Sequence, residues 1–216
     1  MGRKTAQKHF DAVLGKRRGL PGKQTKESFP TFEIDSYGDK MWYLDGKLHR
    51  EDGGPAIERA NGGKEWFRHG KHHREGGPAV ERIDRSKEWY LNGKHHREDG
   101  PAVERAYGTK EWYIDGKLHR ENGPAWEDKF GNKGWYLKDR LDREDGPAVE
   151  NADGTKQWWR KGNLHCRGVP AVEDADGTKK WYLRGQLHRE DGPAIEYANG
   201  TQEWWVRGQC CFPTNT

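Results

Sequence analysis

Imidazole and carboxylate, two residue types that could do chemistry, recur in this chain at a near-constant step. Imidazoles stand at His49, His73, His96, His119, His165 and His188, and all but His165 are followed directly by Arg and Glu. Carboxylates recur at Glu58, Glu81, Glu104, Glu127, Glu150, Glu173 and Glu196. Imidazole plus carboxylate is the raw material of a metal centre or of general acid–base catalysis. The step argues against both. Successive copies built from two β-strands each advance by about 10 Å, whereas every ligand of one zinc lies ~2 Å from the metal. The imidazoles therefore act in parallel, and no shared metal, cofactor or catalytic cluster is expected. The structural alternative is that His and Arg hydrogen-bond across hairpins and pair with the recurring Glu. On that reading His96, His119 and His188 belong to the repeat itself. The thiols, Cys166, Cys210 and Cys211, are odd in number with one adjacent pair. That is no disulfide framework, and it points to a reducing, cytoplasmic compartment.

The elements that carry these residues are set by the same period. Trp42, Trp66, Trp89, Trp112, Trp135, Trp158, Trp181 and Trp204 are spaced by 24 and then six times by 23 residues. Pro55, Pro78, Pro101, Pro124, Pro147, Pro170 and Pro193 keep the step of 23. Pro30-Thr31-Phe32-Glu33 is a degenerate opening copy of Pro-Ala-Val-Glu. A fixed period of this length marks a repeat architecture. One repeat, from Gly100, holds a short extended run (Pro-Ala-Val-Glu), a turn at Tyr107-Gly108-Thr109, a second run rich in β-formers (Lys110 to Ile114) and a turn at Asp115-Gly116. Asp-Gly or Asn-Gly between such runs is a strong hairpin signal. Helical periodicity is absent. The expected fold is all-β: an elongated single-layer antiparallel ribbon of about eight β-hairpin repeats, some sixteen short strands, over residues 30–212. A basic tail of residues 1–29 precedes it and residues 213–216 follow. Composition agrees: 31% hydrophobic and 34% charged would suit disorder, but 11 Trp concentrate the apolar surface in a few large side chains.

These residues resemble the MORN repeat, which is also 23 residues long and carries an Asn-Gly-Lys-x-His step before a Tyr-x-Asp-Gly turn. The matching residues are Asn92-Gly93-Lys94-His95-His96, Asp115-Gly116-Lys117-Leu118-His119, and the turns at Ala152-Asp153-Gly154-Thr155 and Ala198-Asn199-Gly200-Thr201. The resemblance spans about 85% of the chain. It is divergent: Glu111 holds the place of a family glycine, Trp112 comes one residue early, and the His-Gly step is His119-Arg120. It implies a ribbon of hairpins of the kind carried by bacterial and by phage or giant-virus proteins. The implied roles are protein binding, assembly and sometimes lipid attachment, with no enzymatic activity. A structural component of a virion, and a neutraliser of a toxin or host defence protein, are the alternatives it brings.

Each Trp is followed by a second aromatic, and adjacent strand residues face opposite ways. Two ladders result. Trp66, Trp89, Trp112, Trp135, Trp158 and Trp181 are expected to pack, while the Tyr ladder, whose hydroxyls suit a half-wet surface, is expected to meet a partner. One repeat departs most from the pattern: Trp126 replaces Val, Asp139 replaces Gly and Asp142 replaces His. The expected partner face is therefore Tyr90, Tyr113, Trp126, Phe130, Tyr136, Asp139, Asp142 and Trp159. No small-molecule substrate is expected.

Residues 1–28 hold eight Lys or Arg against Asp11 and Glu27, leaving the rest slightly acidic. Thr5 to Leu14 has helical spacing, closed by Gly15. Lys4, Lys8, Lys16, Arg17, Arg18 and Lys23 are the expected anchor, either an assembly arm or a contact to nucleic acid phosphates or an anionic membrane surface. No apolar run reaches the ~18 residues of a membrane span, no signal-peptide core is visible, and Ala6 breaks the myristoylation pattern. The body reads nucleic acid poorly, because an aromatic every ~10 Å does not match bases stacked at ~3.4 Å.

Overall fold

The computed structural model describes residues 30–211. The anchor residues Lys4 to Lys23, the helix expected over Thr5 to Leu14 and the final segment 213–216 lie outside the described residues. The rest is all-β. Antiparallel hairpins follow one another along the chain, in an N-terminal and a C-terminal compact unit divided between Lys94 and His95.

The C-terminal unit carries a long sheet that runs through Val103–Glu104, Lys110–Glu111, Trp126–Glu127, Lys133–Gly134, Val149–Glu150, Lys156–Gln157, Val172–Glu173, Lys179–Lys180, Ile195–Glu196 and Gln202–Val206, each antiparallel to the next. Every repeat adds two strands to it. The N-terminal unit is built alike, from Pro30–Ile34 through Lys40–Leu44, Ile57–Glu58, Lys64–Glu65 and Val80–Glu81 to Lys87–Glu88.

The run expected as one strand is two in the interior repeats, and this nearly doubles the expected strand number, to thirty among the described residues. Lys110–Glu111 belongs to the long sheet, whereas Tyr113–Ile114 pairs with Lys117–Leu118 in a separate hairpin. The division falls at Trp112. Its N–H donates to the Ala125 carbonyl at 2.8 Å on the sheet side, and its carbonyl accepts from the His119 N–H at 2.9 Å on the hairpin side. One residue thus satisfies two sheets.

The tight hairpins close through two-residue turns with both residues left-handed, Asp115 at φ 52° and Gly116 at φ 81°. That geometry matches the twist of the flanking strands. Neighbouring hairpins are joined by two backbone bonds: Gly162 N–H donates to Leu141 O at 2.9 Å, and Arg143 N–H to Trp159 O at 3.2 Å. The wider turns of the long sheet are held by side chains that mimic a backbone turn. Asp176 accepts from Thr178 N–H at 2.8 Å and Asp153 from Thr155 N–H at 2.8 Å.

The core is narrow. Ala56, Ala79, Ala102, Ala125, Ala148, Ala171 and Ala194 have no exposed surface, and Val80, Val103 and Val172 are buried beside them. Trp66 is buried with them, and the other ladder Trp rings are half-buried.

Candidate functional site

The two aromatic rows lie in different surroundings. The Trp on the packing side is roofed by the Arg of its own repeat at Trp42, Trp66, Trp112, Trp135 and Trp181, whereas the Trp158 repeat has Cys166 in that place. In the C-terminal unit Arg120, Arg143 and Arg189 stand 4.1, 4.0 and 4.1 Å from the rings of Trp112, Trp135 and Trp181. In the N-terminal unit Arg50 and Arg74 cover Trp42 and Trp66 at 4.0 and 3.7 Å. The guanidinium then donates to the recurring Glu: Arg143 to Glu150 at 2.8 Å and Arg189 to Glu196 at 2.8 Å. Its Nη1 also donates to a proline carbonyl, Pro147 O at 3.0 Å. The expected Arg–Glu pairs are therefore present at Glu58, Glu81, Glu104, Glu150 and Glu196. Glu127 instead faces Lys110 at 3.4 Å, and Glu173 has Cys166 where its Arg would stand.

The expected pairing of His with those Glu is corrected. Each imidazole faces the tight turn of the following repeat. His96 Nδ1 accepts from Asp115 N–H at 3.2 Å, His165 from Arg184 N–H at 3.4 Å and His188 from Arg207 N–H at 3.2 Å. A left-handed turn residue leaves its N–H free of the hairpin ladder, and the imidazole supplies the acceptor. On the far side, Nε2 of His96 and His188 lies 3.7 and 3.6 Å from Glu98 and Glu190, the acid two residues on. His119 differs, for its Nδ1 is buried without a partner beside the turn that carries Lys138 and Asp139. Among the described residues no three His, Cys, Asp or Glu gather into a metal-binding group.

The other row is the candidate binding face. Tyr113 donates its hydroxyl to Glu111 at 2.8 Å, and Tyr90 donates to Glu88 at 2.9 Å. The indoles of Trp159 and Trp205 donate to Gln157 and Glu203 at 3.0 and 2.8 Å. An acceptor two residues earlier shares the face of the aromatic, so these ring tips are fixed by their own strands. Val103 lies directly opposite Glu111, which places the Val and Ile positions on this face too. Leu118, Leu141, Leu164 and Leu187 pair with Tyr113, Tyr136, Trp159 and Tyr182, alternating aliphatic with aromatic. His95 takes the Leu place one repeat earlier and stacks on Tyr113 at 5.0 Å. Burial, then the Glu111 hydrogen bond, pushes the Tyr113 phenol far above the ordinary tyrosine range, and burial alone raises Tyr136. Both phenols are neutral donors at physiological pH.

The irregular residues fall at three places. Trp126 is half-buried in the aromatic face, directly opposite Gly134. Other repeats carry Glu, Gln, Lys or Met where Gly134 stands, and a Cβ on Gly134 would lie 2.7 Å from the Tyr136 ring. The large indole is thus matched by the missing side chain across the ladder. Phe130 is 68% exposed at the tip of a wide turn, where its N–H donates to Asp128 at 2.9 Å. Asp139 sits in a tight turn at φ 66° and accepts from Leu118 N–H at 2.8 Å, replacing the freedom of glycine with a hydrogen bond to the previous repeat. Asp142 lies 3.8 Å from Arg160. Tyr113, Tyr136, Trp126 and Trp159 share the aromatic face of the C-terminal unit. Phe130 sits at a wide-turn tip, and Asp139 and Asp142 sit on the tight-hairpin row. Tyr90 occupies the equivalent place in the N-terminal unit.

Sequence reasoning missed the acids Glu88, Glu111 and Glu203 that pin the ring tips. Their signal was present in the two-residue offset. Compared with known proteins, the chain matches no family model and no curated protein. What its own residues establish is a protein of repeated antiparallel β-hairpins.

Proposed function

We propose that this protein is a divergent MORN-like, non-catalytic scaffold that binds a protein partner through the aromatic row of its C-terminal unit, with the basic segment 1–28 as an anchor to a larger assembly. The observation that carries the reading is the fixing of the ring tips: Tyr113 on Glu111 and Trp159 on Gln157 hold half-buried aromatics in one orientation before any partner arrives. Large rigid aromatics that lose little side-chain freedom on binding are the side chains most enriched at binding hot spots. The alternating Leu residues supply apolar surface between them, and the carboxylates give the row a negative border suited to a partner with Lys or Arg.

The test is differential capture by the full chain from its own cellular background. The triple variant Tyr113→Leu, Tyr136→Leu, Trp159→Leu keeps the face apolar while removing ring and hydroxyl. It should lose a partner that the parent retains in stoichiometric amount, with the β circular-dichroism signal unchanged. Lys110→Gln, on the opposite face beside Glu127, should retain it. An identical set of captured proteins for parent and triple variant would overturn the reading.

A further inference from the structure

A second feature of the C-terminal unit lies off the aromatic row. At the place that follows His-Arg, the repeats carry an exposed acid: Glu51, Glu75, Glu98, Glu121, Glu144 and Glu190. In one repeat the sequence is His165-Cys166-Arg167, and the sign is reversed. The tight turns change sign as well. Their first residue is Asp45, His69, Asn92 and Asp115 in the early repeats, then Lys138, Lys161, Arg184 and Arg207. These last four stand at φ 51–53°. Asn and Asp take that left-handed region readily, but Lys and Arg do so seldom, so the basic turns run against local preference.

Arg167, Arg184 and Arg207 come together. With Leu183, Gln186 and His188 they line a cleft of about 350 Å³, a volume in the range of small-ligand sites. No carboxylate lines it. Among the described residues none of the three guanidiniums makes an ion pair, whereas nearby Arg160 is matched by Glu144 at 3.3 Å and Asp142 at 3.8 Å. Glu190 lies 3.6 Å from Nε2 of His188, one of the lining residues. Burial and the charges of Arg167, Arg160 and Arg184 hold His165 below the ordinary imidazole range. Burial is the larger cause, and the arginine charges add to it.

We propose that Arg167, Arg184 and Arg207 form an oxyanion site for a phosphoryl or pyrophosphoryl group. Guanidinium forks match such oxygens with two parallel hydrogen bonds, and three forks on one cleft suit an anion carrying more than one charge. The site is separate from the aromatic face, so its fate does not depend on that face binding a protein.

The probe is inorganic pyrophosphate, added to the full chain at physiological ionic strength and followed through the ring resonances of His165 and His188. Those two imidazoles report on this cleft and not on the basic segment 1–28. Saturable shifts are expected, with the His165 titration midpoint moving upward as the anion offsets the arginine field. Arg167→Glu restores the acid of the sister repeats and should weaken binding by at least about tenfold. Arg184→Gln, whose backbone N–H still reaches His165, is the second variant and should also weaken it. Lys117→Glu, in an earlier hairpin on the same row, should change affinity by less than about twofold. A phosphoserine peptide forms the second arm. Saturation by either ligand with the Arg167 dependence upholds the site, and the tighter one names free or protein-borne phosphate as its source. No saturation in either arm, or equal losses for Arg167→Glu and Lys117→Glu, would overturn it.

Discussion

Gly146 precedes Pro147, and a Cβ there would lie 2.9 Å from Cζ of Arg143. Five other repeats show the same approach between the Gly before Pro and its Arg, at Gly54, Gly77, Gly100, Gly123 and Gly192. The one repeat that has Val169 before Pro170 also has Cys166 in place of Arg. Gly146→Val should therefore expel the Arg143 guanidinium from its seat. The losses can be summed in order of magnitude. The cation–π contact with Trp135 at 4.0 Å contributes about 1 kcal/mol. The bond to Pro147 O at 3.0 Å contributes about 1 kcal/mol. The pair with Glu150 is about one-third exposed on the acid side and, after solvent screening, adds about 0.5 kcal/mol. The expected cost is about 2.5 kcal/mol. In an Arg143→Cys background, where nothing is left to expel, the same substitution should cost less than about 0.5 kcal/mol, giving a coupling of about 2 kcal/mol. Urea unfolding of the four proteins measures this, supported by hydrogen exchange of the Trp135 amide, which donates to Ala148 O at 2.8 Å. Equal costs of Gly146→Val in both backgrounds would refute the proposed packing of Arg over glycine.

Three further outcomes follow from the described geometry. Trp126→Val should lose about 2 kcal/mol, because no side chain on Gly134 covers the smaller Val, and the double variant Trp126→Val, Gly134→Glu, which restores the Val103–Glu111–Tyr113 arrangement of a sister repeat once the Tyr136 ring leaves Gly134, should recover most of it in thermal unfolding. The Glu65 carboxyl is held below its usual range first by the His72 hydrogen bond and then by Arg59, against the opposing effect of burial. A lowered folded-state value means that this stability is present above the unfolded carboxylate value of ~4.3 and is lost as pH falls through the folded value; Glu65→Gln should flatten that acid limb of the unfolding curve. The Tyr113 phenol should titrate above ordinary tyrosine in ultraviolet absorbance, and Glu111→Gln should bring it down, since the carboxylate disfavours a neighbouring phenolate.

The period, the hairpins and the tight turns were legible in the sequence because each has a local signature. Trp and Pro keep register from copy to copy, and Asp115-Gly116 names its own turn. The break at Trp112 was not legible: Lys110 to Ile114 is a continuous run of strand-compatible residues, and only the bonds to Ala125 and His119 on opposite sides divide it. The Arg–Glu pairs could be read from recurrence, whereas the histidine partner could not. A backbone N–H in the next turn has no side chain to betray it. The Gly–Arg packing was visible only in its exception, Cys166 with Val169. On the aromatic face the offset of two between Glu111 and Tyr113 was readable. The exchange of bulk between Trp126 and Gly134 needed the ladder register, which sequence spacing alone leaves open.

The central claim is that like residues in successive repeats stand a constant step apart and never meet. The most direct measurement is dipolar spectroscopy on spin-label pairs in the C-terminal unit, with one label at Lys117 and the other in turn at Arg140, Asn163 and Gln186. These four occupy one exposed strand position, and Cys166, Cys210 and Cys211 are replaced by serine. Two strands per repeat predict separations that rise by about 10 Å at each step. Separations that level off or shorten from the first pair to the third would contradict it.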